Sequence, residues 1–234
     1  MPLDGHGGPP GTAVATGGPI MKKNPLFWDV DTQFDFMQPE GRLYVPGAET
    51  IIDTVSQVRR FALDNGYSIL ADVDWHTPGN PEISDHPDYR IAFPPHCMAG
   101  EPGSERVGYV GTRPIDFVPV EEMDVADLRR LAERKPFHIV IRKQSLSVFD
   151  NPNTDRLMDI IRPEKVVVFG VALDFCVSYV VKCLAERSGT GLTLLRDAVK
   201  GLQSRPDDEI YDEFRRMGVA IVTFDEFKRQ LACG

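Results

Sequence analysis

The chain has little of several things that often announce a function. It carries four cysteines in 234 residues, none in CxxC spacing. That is too few for a disulfide scaffold, and it makes a reducing, cytoplasmic setting the default. Positive charge is in deficit: 26 Lys and Arg against 35 Asp and Glu leave a formal net charge of −9. This argues against a nucleic-acid or anionic-membrane partner, while a small neutral molecule would meet no repulsion. No apolar run approaches the ~20 residues of a membrane-spanning helix, and no internal repeat is visible. The opening MPLDGHGGPPGTAVATGGPI lacks the basic start and continuous apolar stretch of a signal peptide. Residues 1–22 are expected to be a flexible Gly/Pro-rich arm, with Met21 as an alternative start, ahead of one domain over 23–234. Packing of the arm on a neighbouring subunit of a homo-oligomer is one expectation for it.

What is present is a regular alternation of apolar strands and amphipathic helices. PLFWDV (25–30), YSILADV (67–73), HIVIR (138–142), VVVFG (166–170), LTLLR (192–196) and VAIVT (219–223) read as six strands. Ile51, Ile52, Val55, Val58, Phe61 and Ala62 recur at helical spacing between Gly47 and Asn65, with Gly66 as a stop. Further helices are expected over 124–134, 153–162, 175–188 and 207–217. Continuous apolar strands alternating with helices imply an α/β fold whose mostly parallel sheet is covered on both faces.

Chemically able residues gather at the strand ends. Asp31 closes the first strand, Asp74 the second and Lys143 the third, while the fourth leads to Cys176. In an open parallel sheet the carboxyl ends of the strands form the ligand crevice. Strands commonly end in polar residues, so each alone says little; a thiol, an amine and two carboxylates together point to a reaction. After the second strand runs a long Pro-rich loop holding three of the five histidines, His76, His86 and His96. Asp74 and His76, two apart in an extended segment, point to one side. With His96 they form a donor set suited to Zn²⁺, Mn²⁺ or Fe²⁺. His86, in a polar run, is expected to be an exposed loop residue.

These segments resemble the nicotinamidase branch of the isochorismatase-like cysteine hydrolases over roughly residues 25–225. The resemblance rests on DVDTQFDF (29–36), DWH (74–76), FPPHC (93–97) with the AGEPGSE that follows, RKQS (142–145) and GVALDFCV (170–177). It implies a three-layer αβα sandwich around a six-stranded sheet. It also implies hydrolysis of nicotinamide to nicotinate and ammonia, with pyrazinamide as a further substrate, in NAD salvage. Asp31 matches the general acid/base, Lys143 the lysine of the triad and Cys176 the nucleophile. Asp74, His76 and His96 match ligands of a divalent metal, zinc foremost, and Glu82 a fourth. Phe36 and Phe93 match positions that sandwich the pyridine ring. A cis peptide is implied at Val171–Ala172, and the backbone N–H groups of Ala172 and Cys176 are the expected oxyanion donors. Gln33 and Asp35 are expected behind the reacting groups, Gln33 holding the loop and Asp35 orienting Lys143 or a ligand. Segment 106–123 departs from compact members and is expected to reshape the pocket entrance.

A helix N-terminus and the Lys143 ammonium are expected to favour the Cys176 thiolate. Asp174 is expected to cap that helix, with Cys183 an inert core thiol and Cys97 an outside candidate for ligation. Two alternatives stay open: another cysteine hydrolase of this fold acting on a carbamoyl or ureido amide, and a non-catalytic binding protein that keeps the fold.

Overall fold

A computed structural model describes residues 24–108 and 114–233. The expected arm, and residues 109–113 of the segment expected to reshape the entrance, lie outside them. The strands are β1 (Leu26–Val30), β2 (Ile69–Asp74), β3 (Asp116–Val118), β4 (His138–Lys143), β5 (Lys165–Val171), β6 (Gly191–Lys200) and β7 (Ala220–Val222). The helices are α1 (Phe34–Met37), α2 (Ile52–Asp64), α3 (Val125–Glu133), α4 (Thr154–Ile161), α5 (Cys176–Ala185), α6 (Asp207–Arg216) and α7 (Phe224–Cys233).

The strands form a single sheet in the order β3-β4-β2-β1-β5-β6-β7, with every pairing parallel. The six expected strands are all present. The sheet has seven, because β3 adds an edge strand of three residues between Pro114 and Pro119. So short a strand carries no periodic signal, and its flanking prolines read as loop. β1 and β2 are buried along their whole length, as a central parallel strand must be when helices cover both faces. One face packs Trp28, Leu70, Ile139 and Val168 against apolar residues of α3, α4, α5 and α6. The other packs Phe27, Ile69, Val167 and Phe169 against Val55 and Val58 of α2 and Phe224 and Phe227 of α7. None of the described helices is long and apolar enough to cross a membrane.

From β1 the chain builds outward through β2 and β4 on one side, with β3 added beyond β4, and through β5, β6 and β7 on the other, so the sheet reverses between β1 and β5 and opens a crevice beyond their carboxyl ends. The two strands approach closely there. Gly170 has φ of 120°, and a Cβ on it would sit 2.1 Å from the Val30 carbonyl oxygen. Only glycine fits.

Beneath the crevice lies a buried ion network. Asp29 accepts from Arg59 Nε at 2.6 Å and from Thr32 Oγ1 at 2.9 Å, and it also pairs with Arg106. Arg59 in turn donates to the Val107 carbonyl and to Thr32. The network pins segment 104–108 against β1. Burial works against an ionised Asp29, but Arg59 and Arg106 override it and hold the carboxyl well below its ordinary range. A depressed pKa adds stability that is present above the unfolded value and lost as pH falls through the folded one. Asp29→Asn should therefore cost about 3–5 kcal/mol at neutral pH by leaving Arg59 without its counter-charge. The deficit should shrink towards strongly acidic pH. Urea unfolding at several pH values checks this; a neutral-pH loss under ~1 kcal/mol would mean the pair contributes no more than a surface bridge.

Candidate active site

The four strand ends singled out in the sequence belong to four adjacent strands, β4, β2, β1 and β5. Parallel register sets Asp74 directly beside Lys143. Lys143 Nζ donates to Asp74 Oδ1, lies 3.0 Å from Asp31 Oδ2 and 3.7 Å from Cys176 Sγ. All four side chains are buried, Cys176 the most accessible at 6%. Asp31 takes φ of 46°, a left-handed conformation rare outside glycine and concentrated at functional sites. Cys176 is the first residue of α5. The Val171–Ala172 peptide is cis, as the resemblance implied. Among the described residues, the backbone N–H groups of Ala172 and Cys176 have no acceptor.

Burial and neighbouring charge set the protonation landscape. Burial raises the Asp31 carboxyl well above its ordinary range; Lys143 opposes this, and Asp74 adds to it. Burial also acts against ionised Asp74, but Lys143 and the two histidines hold it well below. Desolvation would neutralise Lys143, yet Asp31 and Asp74 keep it charged. The thiolate expectation is corrected here. Burial pushes the Cys176 thiol well above its ordinary value; Lys143 opposes this, and Asp31 and Asp74 add to it. Both the Cys176 thiol and the Asp31 carboxyl beside it are thus shifted upward by burial.

Asp74, His76, Glu82 and His96 form one buried group whose donor atoms all lie within 4.8 Å of one another, and it could hold a metal ion. The donor chemistry fits. His96 Nδ1 sits 2.8 Å from the Pro94 carbonyl, which makes it the protonated nitrogen and leaves Nε2 as a lone pair. That lone pair faces Asp74 Oδ2 at 3.3 Å, and His76 Nε2 faces the same oxygen at 3.4 Å. Both ring nitrogens of His76 are buried without a hydrogen-bond partner. Convergent donors of this kind suit a shared cation.

Gln33 holds Asp74 by its backbone. Its amide oxygen accepts from Asp74 N at 2.7 Å, and its amide nitrogen donates to Asp74 O at 2.8 Å and Ser104 O at 3.0 Å. Asp35 does not reach Lys143. It accepts from Cys97 N at 2.7 Å and Arg42 N at 3.1 Å, and so holds the backbone next to His96. Gly103 is pressed against it, since a Cβ there would lie 2.2 Å from Asp35 Oδ2. Cys97 is buried, but its thiol points to the Gly103 carbonyl at 3.8 Å and is outside the four-residue group.

A narrow pocket reaches Asp31, Asp74, Glu82, His96 and Cys176. Its remaining walls are Phe36, Phe93 and a further apolar set. Phe36 and Phe93 both line it, as expected. The sequence reading missed Leu43, Val45, Leu146, Phe175 and Leu202. Phe175 packs edge-on to Phe93 with ring centroids 6.0 Å apart. Its place beside Cys176 was the one available signal; the leucines and valine carry none. Asp174 does not cap α5, whose first turn has no side-chain cap. It accepts instead from Leu202 N at 2.8 Å and Ser204 N at 2.7 Å, fixing the loop that brings Leu202 to the pocket. His86 is exposed and Cys183 half-buried.

The architecture and cluster define a class: a parallel α/β protein with a buried thiol–carboxylate–ammonium centre at its topological switch point. The family model described as the isochorismatase domain matches residues 29–226, and the chain belongs to that family. A nicotinamidase from Saccharomyces cerevisiae is 24% identical over 219 residues, covering 82% of this chain and 96% of the relative. A nicotinamidase/pyrazinamidase from Mycobacterium tuberculosis is 27% identical over 198 residues, covering 82% and 95%. The crystal structure of the Pyrococcus horikoshii pyrazinamidase in complex with zinc superposes with a TM-score of 0.66 at 25% identity, covering 86% of this chain and 99% of that one.

Gln33→Leu should loosen Asp74 without touching the thiol. Affinity for added Zn²⁺, read by competition with a chromophoric chelator, should fall about 10–100-fold, the range for groups that orient metal ligands. Unchanged affinity would show that Gln33 only braces the fold.

Proposed function

We propose that this protein is a nicotinamidase that hydrolyses nicotinamide to nicotinate and ammonia, with pyrazinamide as a further substrate. The observation that carries this reading is the sharing of one ammonium, Lys143, between a thiol–carboxylate pair and a carboxylate of the metal-type group, within a single small pocket. Family membership and the named activities of the curated relatives support it. The enzyme class is an amidohydrolase cleaving a linear carbon–nitrogen bond, and NAD salvage in the cytoplasm is the setting that fits.

Asp31 takes the proton from Cys176 Sγ as the sulfur attacks the amide carbon. A buried carboxylate with a raised pKa is a better base than an ordinary one. Lys143 lies against both groups and opposes the upward push of burial on the Asp31 carboxyl. The N–H groups of Ala172 and Cys176 are the donors we assign to the developing oxyanion, each worth on the order of 10²–10³ in rate. Asp31 returns its proton to the departing ammonia, leaving a thioester on Cys176. Asp31 then deprotonates a water that attacks the thioester carbon; the thiol leaves with that proton, and the carboxylic acid formed gives up its own proton to ammonia or solvent as it departs as nicotinate. Asp74, His76, Glu82 and His96 would hold a divalent metal, zinc foremost, which would supply a Lewis-acidic site for the ring nitrogen. Phe36 and Phe93 would contact the faces of the ring, and the apolar walls limit what it can carry.

Ammonia release from nicotinamide, pyrazinamide, benzamide and a carbamoyl compound tests the assignment. Nicotinamide and pyrazinamide should be turned over, and Cys176→Ala should abolish both while leaving the unfolding transition in place. Preference for the carbamoyl compound, or activity of the variant within tenfold of wild type, would overturn the assignment.

The pH profile tests the role of Asp31. Activity requires its ionised form, so kcat/KM should rise through the raised Asp31 pKa, with an acid limb displaced above the ordinary carboxylate range. Lys143 lowers that pKa, so Lys143→Met should move the limb further up as well as slow the reaction. A limb that stays put, or moves down, would assign the base elsewhere.

A further inference from the structure

The sheet is not covered evenly. On the face opposite Asp74 and Lys143, α2 and α7 pack over β1, β5 and the start of β2, but Ala71, Val73 and Val140 form a small separate cluster with Ile115 as its partner. Side chains alternate along strands, so Val73 on β2, Val140 and Arg142 on β4 and Phe117 on β3 share this face. Together with Trp75 and Ile115 they line a groove of about 320 Å³.

Arg142 dominates its chemistry. The guanidinium carbon lies 4.0 Å from the Trp75 ring centroid and 4.8 Å from that of Phe117. Its Nε is buried without a hydrogen-bond partner. Among the described residues, Arg142 has no carboxylate partner. The other charges at the groove are Glu101, paired with Arg42 at 2.7 Å; Arg106, paired with Asp29; and exposed Glu105. A guanidinium flanked by two rings presents its donor edge rather than its faces, and that edge matches a carboxylate in bidentate geometry. Val73, Val140 and Ile115 supply an apolar floor beside it.

We infer that this groove is a second ligand site, distinct from the active pocket, that binds a small apolar monocarboxylate. The carboxylate pairs with Arg142 and the apolar body lies against Val73, Val140 and Ile115. The site backs directly onto the catalytic strand ends. Trp75 stands between Asp74 and His76, its backbone N–H donates to the Lys143 carbonyl at 2.8 Å, and Arg142 immediately precedes Lys143. The inference does not rest on the reaction assigned to the active pocket.

Benzoate is the probe and tryptophan fluorescence the readout, because Trp75 lies in the groove while Trp28 is fully buried in the core. The full chain is first alkylated at Cys176, so that the active pocket is filled. Benzoate should give a saturable change in the millimolar range or tighter. Benzyl alcohol, which keeps the ring and loses the charge, should bind at least about tenfold more weakly, as should benzoate to Arg142→Gln; one charge-assisted bidentate contact accounts for such a factor. Ile115→Asp, which sets an anion on the floor, should weaken benzoate likewise and serves if Arg142→Gln does not fold. An unsaturable signal, equal binding of benzyl alcohol, or wild-type affinity in a folded variant would each overturn the site.

Discussion

The buried ammonium of Lys143 is the charge on which the active centre depends. Burying it without partners would cost several kcal/mol, and it survives because Asp31 and Asp74 stand on either side. That compensation is written into backbone register. Asp74 and Lys143 are direct neighbours across β2 and β4, and Asp31 follows the next strand over. A one-residue slip in either strand would turn its charged end to the opposite face of the sheet. The parallel core of Leu70, Ile139, Trp28 and Val168 therefore does more than stabilise: it holds two carboxylates and a thiol within reach of one nitrogen.

The loop beside the site is held by a different set of charges. Asp29, Arg59 and Arg106 tie segment 104–108 to β1 from below. Val107 N donates to Thr32 O at 2.9 Å, and Phe34 N donates to Glu105 O at 2.8 Å. Gln33 is thereby enclosed between two strands of backbone, with its amide left to bracket Asp74. An ion pair on one face of the sheet thus reaches Asp74 on the other through a single glutamine.

Much of this was legible in the sequence, for definable reasons. Strand ends are marked where a continuous apolar run stops, so Asp31, Asp74 and Lys143 could be named from local pattern, and parallel topology then brought them together. DWH and FPPHC carry donor residues at telling spacings, and the side chains of Asp74, His76, Glu82 and His96 converge as the resemblance implied. What stayed hidden was of three kinds. β3 is too short to show a period. The aliphatic pocket residues Leu43, Val45, Leu146 and Leu202 come from separate loops whose meeting depends on tertiary structure alone. The protonation of Cys176 turned on how deeply the thiol and its anionic neighbours are buried together, a quantity that no motif encodes.

That burial also bears on the metal. Asp31, Asp74 and Glu82 line one pocket and would carry three negative charges between them when ionised, while Lys143, in contact with the first two, supplies one positive charge. The imbalance leaves its mark. Burial and neighbouring carboxylates push Asp31 and Glu82 upward, and Asp72, one strand pleat below Asp74, is raised to about 7 even though Trp28 donates to it. Of these four carboxyls only Asp74, which has His76 and His96 as well as the ammonium beside it, is held low. A folded protein gains nothing from crowding acids that repel one another unless something offsets the repulsion. A divalent cation among Asp74, His76, Glu82 and His96 would supply the missing charge at the point where three lone-pair donors already converge. By the same electrostatics it would lower the raised carboxyls, so the basicity of Asp31 and the occupancy of the four-residue group are parts of one balance rather than separate features of the site.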